Sequence, residues 1–261
     1  MSAQPISAFA VDTLAVEIHP DKATLSRAAA DFVASHIRAA IAARNNARVI
    51  FATGASQYDF LDALCTAPDI EWSRVTAFHL DEYVGISAEH PASFRRYLQE
   101  RLFRRLPFGA VHLLQGDAPD PAAECRRYAD LLAAAPVDIA CVGIGENGHL
   151  AFNDPPADFT TSAGVHVVQL DEACRMQQVG EGHFPNLAAV PPQALSMTIP
   201  AILAAQVISC VVPDARKAQA VACTLTGPID PACPASALRG HPRCRLYLDS
   251  ASASLLKGHA Q

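Results

Sequence analysis

Residues 137–155 read V-D-I-A-C-V-G-I-G-E-N-G-H-L-A-F-N-D-P. Val137, Ile139, Ala140, Cys141, Val142 and Ile144 form a short, β-branched run almost free of charge, the pattern of a parallel strand buried on both faces. The strand is expected to stop at Gly143-Ile144-Gly145. Ligands of open α/β sheets bind beyond the carboxyl ends of the strands, and glycines there let the backbone approach a ligand or take positive φ. His149 and Asp154 therefore fall where chemistry is expected.

The stretches on either side repeat the alternation. Upstream, residues 14–18 are a candidate strand. Residues 23–43, rich in alanine with Leu25, Ala29, Phe32, Val33, Ile37 and Ile41 near helical spacing, predict a long amphipathic helix. Strands are expected at 48–52, 75–80 and 110–114, and helices at 93–102 and 122–135. Downstream, strands are expected at 165–170, 195–199, 207–212 and 243–248. A helix is expected from 171, and a glycine-rich connection at 179–182. The whole predicts an α/β fold over residues 1–261: a single Rossmann-like domain with a mostly parallel central sheet and helices on both faces.

Composition narrows the partners. At 261 residues, 51% hydrophobic and 18% charged, the chain has the profile of a folded soluble enzyme or binding protein. Its net charge of −6 and scattered basic pairs give no stripe for nucleic acid. The eight cysteines show no C-x-x-C or paired Cys/His spacing, so they read as buried thiols in a reducing cytoplasm, with no metal. No apolar run is long enough for a membrane span, and the N-terminal M-S-A-Q-P-I-S has no signal-like pattern.

Three strand ends carry candidate chemistry. The strand at 48–52 runs into Thr53-Gly54-Ala55-Ser56 before a helix, a seat for an anion or an ordinary capped turn. The strand at 75–80 delivers Asp81-Glu82, whose side chains point in different directions, so that one can serve as a base while the other holds structure, or the pair is an acidic loop with a capping role. After 207–212, Asp214-Ala215-Arg216-Lys217 opens a helix with two cations where the dipole disfavours them, which points to an anionic ligand or to a solvated surface pair.

Together A-T-G-A-S at 52–56, F-H-L-D-E-Y-V-G at 78–85, G-I-G-E-N-G-H-L-A-F-N-D-P at 143–155 and V-P-D-A-R-K-A at 212–218 before S-A-L-R-G-H-P at 236–242 resemble the glucosamine-6-phosphate deaminase/isomerase family, related to 6-phosphogluconolactonases. The resemblance implies conversion of glucosamine 6-phosphate and water to fructose 6-phosphate and ammonia, without a cofactor. Asp81 matches the base that moves a proton between C2 and C1. His149 matches the histidine that opens the ring, with Asp154 where the family usually has a glutamate and Asn147 where many members have an aspartate. Thr53, Gly54, Ala55, Ser56 and Lys217 match the phosphate site, and Glu82 and Gly148 are counted with the substrate contacts. Gln178 falls where a phosphate-binding arginine is expected, so Arg175, one turn away, is the candidate cation there. Gly164 and His166 replace the cations of the allosteric site in regulated members, which implies no activation of that kind. The partner expected is a hexosamine phosphate, with a homo-oligomer allowed. A lactonase, or a sugar-phosphate-binding domain without turnover, is the alternative.

Overall fold

The computed structural model describes residues 4–180, 182 and 184–256. An eight-stranded sheet forms the centre, built from β1 (Ser7–Val11), β2 (Leu14–His19), β3 (Ala47–Phe51), β4 (Val75–His79), β6 (Ala110–Val111), β7 (Ile139–Val142), β10 (Val207–Val212) and β11 (Cys244–Asp249). Its order is β1-β2-β11-β10-β7-β3-β4-β6. All pairings are parallel except the β1–β2 hairpin. A second, antiparallel sheet in the order β5-β9-β8 joins β5 (Asp81–Tyr83), β8 (Val165–Gln169) and β9 (Gln193–Met197).

Period-two alternation splits the buried residues of the large sheet between two layers. On one face Ile50, Phe78, Ala140, Val142, Ile208, Cys210 and Leu246 pack with α4 (Pro121–Ala133), α6 (Ile199–Leu203) and α7 (Ala218–Thr226). On the other, Val49, Phe51, Ala77, Ile139, Cys141 and Val211 pack with α1 (Lys22–Arg44) and α2 (Tyr58–Cys65). Helix α1 starts where Asp21 accepts from the Thr24 N–H at 2.8 Å and ends at Asn45 in the left-handed region with φ of 65°. A third apolar cluster, with Tyr83, Phe94, Phe152 and Phe184 at its centre, lies under the small sheet. All eight cysteines are free thiols, and burial pushes those of Cys141, Cys210 and Cys244 far above the ordinary range.

The structure differs from the sequence expectation in several elements. β1 was not anticipated, because an edge strand with every second residue half-buried carries a weak pattern. The strand expected at 110–114 shrinks to Ala110–Val111 at the opposite edge. The helix expected at 93–102 is α3 (Phe94–Leu98) followed by a wider π turn, Gln99–Phe103. Val179 and Gly180, expected in a connection, close α5 (Glu172–Gly180). Glu181 in that connection and residues 1–3 of the N-terminal stretch lie outside the described residues. No helix among the described residues is long and apolar enough to cross a membrane.

Topology places the site. Strand order reverses between β3 and β7, so the segments leaving their carboxyl ends diverge and open a crevice. The ends of β4 and β10, parallel neighbours of this pair, face the same way.

Candidate active site

One cleft at these strand ends is lined by Thr53, Gly54, Ala55 and Ser56 after β3, Asp81 after β4, Gly143, Gly145 and His149 after β7, and Asp214, Arg216 and Lys217 after β10, with Gln178 from α5. The turn after β3 requires glycine at one position: Gly54 has φ of 101°. The Gly54 carbonyl accepts from the Tyr97 hydroxyl at 2.9 Å, and the Ala55 carbonyl accepts from the Lys22 ammonium at 3.3 Å. Ser56, read as a cap, instead accepts from the Gln57 side-chain amide at 3.2 Å. A helical start leaves its first amides without internal partners, and here those amides belong to residues that line the cleft. Across from them, Asp214 adopts φ of 80° and its N–H donates to Asp249 Oδ2 at 3.0 Å, which fixes the turn that carries Arg216 and the buried Lys217. The two cations occupy that turn, Ala215–Lys217, immediately before α7.

The loop after β7 folds on itself. Gly145 N–H donates to the His149 carbonyl at 2.9 Å, and Gly148 N–H to the Gly145 carbonyl at 3.1 Å. A Cβ on Gly145 would lie 2.2 Å from His149 Nε2, so the imidazole rests directly against the glycine backbone. His149 Nδ1 is 3.0 Å from Asp154 Oδ1, and the Asn147 amide donates to the same oxygen at 2.9 Å. Asn147 Oδ1 in turn accepts from the His149 N–H at 3.0 Å. With Nδ1 held by the carboxylate, Nε2 is the ring nitrogen left for a bound molecule. Burial raises the Asp154 pKa, but the hydrogen bonds from His149 and Asn147 and the nearby imidazole outweigh it and hold the group below the usual aspartate value.

Asp81 lies at the start of β5, buried, and among the described residues none donates a hydrogen bond to its carboxyl. Burial first and the adjacent Glu82 second push its pKa up to about 8. Glu82 points to the other face, as strand alternation requires. It accepts from the Ser93 hydroxyl at 2.7 Å, the N–H groups of Tyr83, Phe94 and Arg95 at 2.9, 3.2 and 2.9 Å, and Arg95 Nε at 3.3 Å. Arg95, itself buried, is anchored by Gln115, Asp117 and the Ile86 carbonyl.

The structure thus gathers Thr53, Gly54, Ala55, Ser56, Asp81, His149 and Lys217 at one cleft, with Asp154 and Asn147 behind the imidazole. It takes three candidates elsewhere. Glu82 braces α3 and does not line the cleft. Gly148 turns away: its carbonyl accepts from the Ala235 N–H at 2.9 Å, and a Cβ there would lie 3.4 Å from Cys233 Sγ. Arg175 donates to the carbonyls of Leu187 and Val190 at 2.6 and 2.9 Å, so it ties α5 to the following turn. Gln178, one turn further along α5, lines the cleft in its place, its Oε1 accepting from the Tyr83 hydroxyl at 2.5 Å. The sequence reading also missed Asn153, whose amide donates to the Leu150 and Met197 carbonyls at 2.7 Å each and ties the loop that carries His149 to β9. Only its place inside F-N-D-P hinted at it. No group of three or more His, Cys, Asp or Glu among the described residues is arranged to hold a metal ion.

A carboxyl with a raised pKa, an imidazole oriented by a carboxylate and a cation-flanked turn equip the cleft to move protons on a small anionic molecule. Comparison with known proteins gives the same direction. A glucosamine-6-phosphate deaminase of Exiguobacterium is 38% identical over 185 residues, 71% of each chain. One of Streptococcus pneumoniae is 37% identical over 206 residues, 79% of this chain and 86% of the relative. A monomeric glucosamine-6-phosphate deaminase of known structure, 32% identical, superposes with a TM-score of 0.85 over 92% of this chain and 99% of its own. A 6-phosphogluconolactonase from Shewanella baltica, 20% identical with a TM-score of 0.73 over 90% of this chain and 96% of its own, shares the fold. Residues 20–246 match the family of glucosamine-6-phosphate isomerases and 6-phosphogluconolactonases, and the chain belongs to that family.

Proposed function

We propose that this chain converts glucosamine 6-phosphate and water to fructose 6-phosphate and ammonia. The observation that carries the reading is the placement of Asp81, a buried carboxyl with a pKa of about 8, in one cleft with the His149–Asp154 pair and the turn at residues 53–56. The relatives named as deaminases at 37% and 38% identity support it.

The phosphate is bound by the amides of the 53–56 turn and by Lys217, which leaves the sugar reaching toward the other strand ends. Opening the ring requires a proton on the ring oxygen and loss of one from the C1 hydroxyl. His149 Nε2 delivers the first, its ring held by Asp154. The Asp81 carboxylate then takes the proton from C2, the C–H electrons form a C1–C2 double bond, and the C1 carbonyl oxygen gains a proton to give an enolamine. Return of a proton to C1 leaves a C2 imine, to which water adds, and ammonia departs from C2. A carboxylate with a raised pKa is a stronger base than an ordinary aspartate, which suits a carbon acid.

Hydrolysis of a lactone has no need of a base at C2, so the placement of Asp81 favours the deaminase over the lactonase. The test is incubation with glucosamine 6-phosphate and, separately, with 6-phosphogluconolactone. Ammonia and fructose 6-phosphate from the first are expected. Acid release from the second without ammonia from the first would establish the lactonase, and phosphate-sugar binding without either product a non-catalytic domain.

A further inference from the structure

Arg216 lines the cleft one residue before Lys217, yet its guanidinium is directed at another group: Nη1 lies 3.5 Å from Glu146 Oε1. The pair links the turn after β10 to the loop that carries His149. Both side chains are well exposed, 54% for Arg216 and 39% for Glu146, and a single contact of that length between exposed charges contributes almost nothing to stability. It is an arrangement that a better anion displaces. A phosphate offers several oxygens to the planar fork of an arginine, whereas this carboxylate meets it through one long contact. The backbone beneath Arg216 is fixed: Asp214, at positive φ, donates to the buried Asp249, and Lys217 N–H donates to the Asp214 carbonyl at 3.0 Å. A flexible side chain on a rigid turn at the cleft can change partner without moving the chain. Among the described residues, helix α5 brings to the cleft only the neutral amide of Gln178, since Arg175 is committed to backbone carbonyls.

We propose that Arg216 is a phosphate ligand of the substrate, and that it exchanges Glu146 for the phosphate when the sugar binds. The inference rests on the reading of the cleft as a sugar-phosphate site and adds to it: Glu146 competes with phosphate for one of its ligands, which weakens binding and speeds release.

The test uses Arg216→Met, Glu146→Gln, the double variant, and Arg126→Met, which removes the same charge from an exposed site elsewhere. Steady-state ammonia release gives KM and kcat, and calorimetry with inorganic phosphate gives an affinity that does not depend on turnover. Arg216→Met is expected to raise KM and weaken phosphate binding by about tenfold or more, the loss of one charge-assisted hydrogen-bonded contact, with kcat within about twofold. Glu146→Gln is expected to tighten both by about two- to threefold, and to have no effect once Arg216 is replaced. Arg126→Met is expected to match wild type. Unchanged KM and phosphate affinity in Arg216→Met, or equal losses in Arg126→Met, would overturn the inference while leaving the deaminase reading intact. If the wild type binds phosphate and releases no ammonia, the deaminase reading fails, and the calorimetric comparison still decides the role of Arg216.

Discussion

Asp81 and Asp154 are the same side chain in the same molecule, both withdrawn from solvent, and their ionisation moves in opposite directions. Among the described residues Asp81 has no donor on its carboxyl, and a second carboxylate stands next to it in the chain, so burial is uncompensated and the proton is retained to about pH 8. Asp154, less deeply buried, accepts from His149 and Asn147 on one oxygen, and those partners overcome the burial that remains. What a carboxylate touches, together with how deep it lies, decides whether its pKa rises or falls. The neighbouring Glu82 makes the same point from a third position, since its five contacts leave it no freedom to act on a substrate.

This contrast can be broken in a graded way. Asp81→Asn removes the base and is expected to lower kcat by about 10²–10⁴, the usual contribution of a positioned general base, while KM changes by less than about threefold. Loss of substrate binding in proportion to loss of turnover would remove Asp81 from its role. His149→Gln is expected to cost about 10² in kcat, and Asp154→Asn about tenfold through misorientation of the ring. Both losses should shrink with substrate presented in the open-chain form, because only ring opening depends on the pair.

Dependence on pH sharpens the comparison further. With the Asp81 carboxylate as the proposed base, kcat/KM is expected to climb tenfold per unit of pH toward about 8 and then level. Glu82→Gln removes the neighbouring negative charge, and the rise is expected to move to lower pH; an unmoved profile would deny the coupling between the two carboxyls. A smaller effect concerns stability. The folded-state pKa of Asp81 lies above the ordinary value of 3.8, so the folded chain holds one proton more than the unfolded chain between about pH 4 and 8. Stability from this group is therefore greatest below that window and falls as pH rises through it. The Tm advantage of Asp81→Asn over wild type is expected to widen from about pH 5 to about pH 8.5, and a constant difference would contradict the raised pKa.

The parts of this arrangement legible in the sequence share a cause. β7 and β10 are apolar on both faces, so each announces itself as a continuous run, and the glycines and polar residues that follow mark the strand ends where ligands bind. Asp81, His149 and Lys217 could be picked out because each follows such a run closely. Of the small sheet, β8 and β9 were expected as strands, but β5 and the pairing were not legible: β5 has three residues, two of them acidic, and it pairs with β9 more than a hundred residues away, so no local pattern encodes the contact. The misplacement of Arg175 has a different origin. One turn of helix separates it from Gln178, and only the packing of α5 decides which of the two reaches the cleft. Glu82 was ambiguous in the same sense, since adjacent strand residues differ in face and the chain alone does not say which face holds the ligand.

The division of the site between two sheets has a consequence of its own. The 53–56 turn and His149 follow strands of the large sheet, whereas Asp81 opens β5 of the small one, separated from the end of β4 by one residue, Leu80, whose carbonyl accepts from the Met197 N–H at 2.8 Å. On the proposed function, the spacing between the 53–56 turn and Asp81 acts as a ruler, fixing how many carbons separate the phosphate from the atom that loses its proton. Amino sugars carrying the phosphate on a different carbon would present the wrong bond to Asp81, and they would be excluded by length before any hydroxyl is inspected.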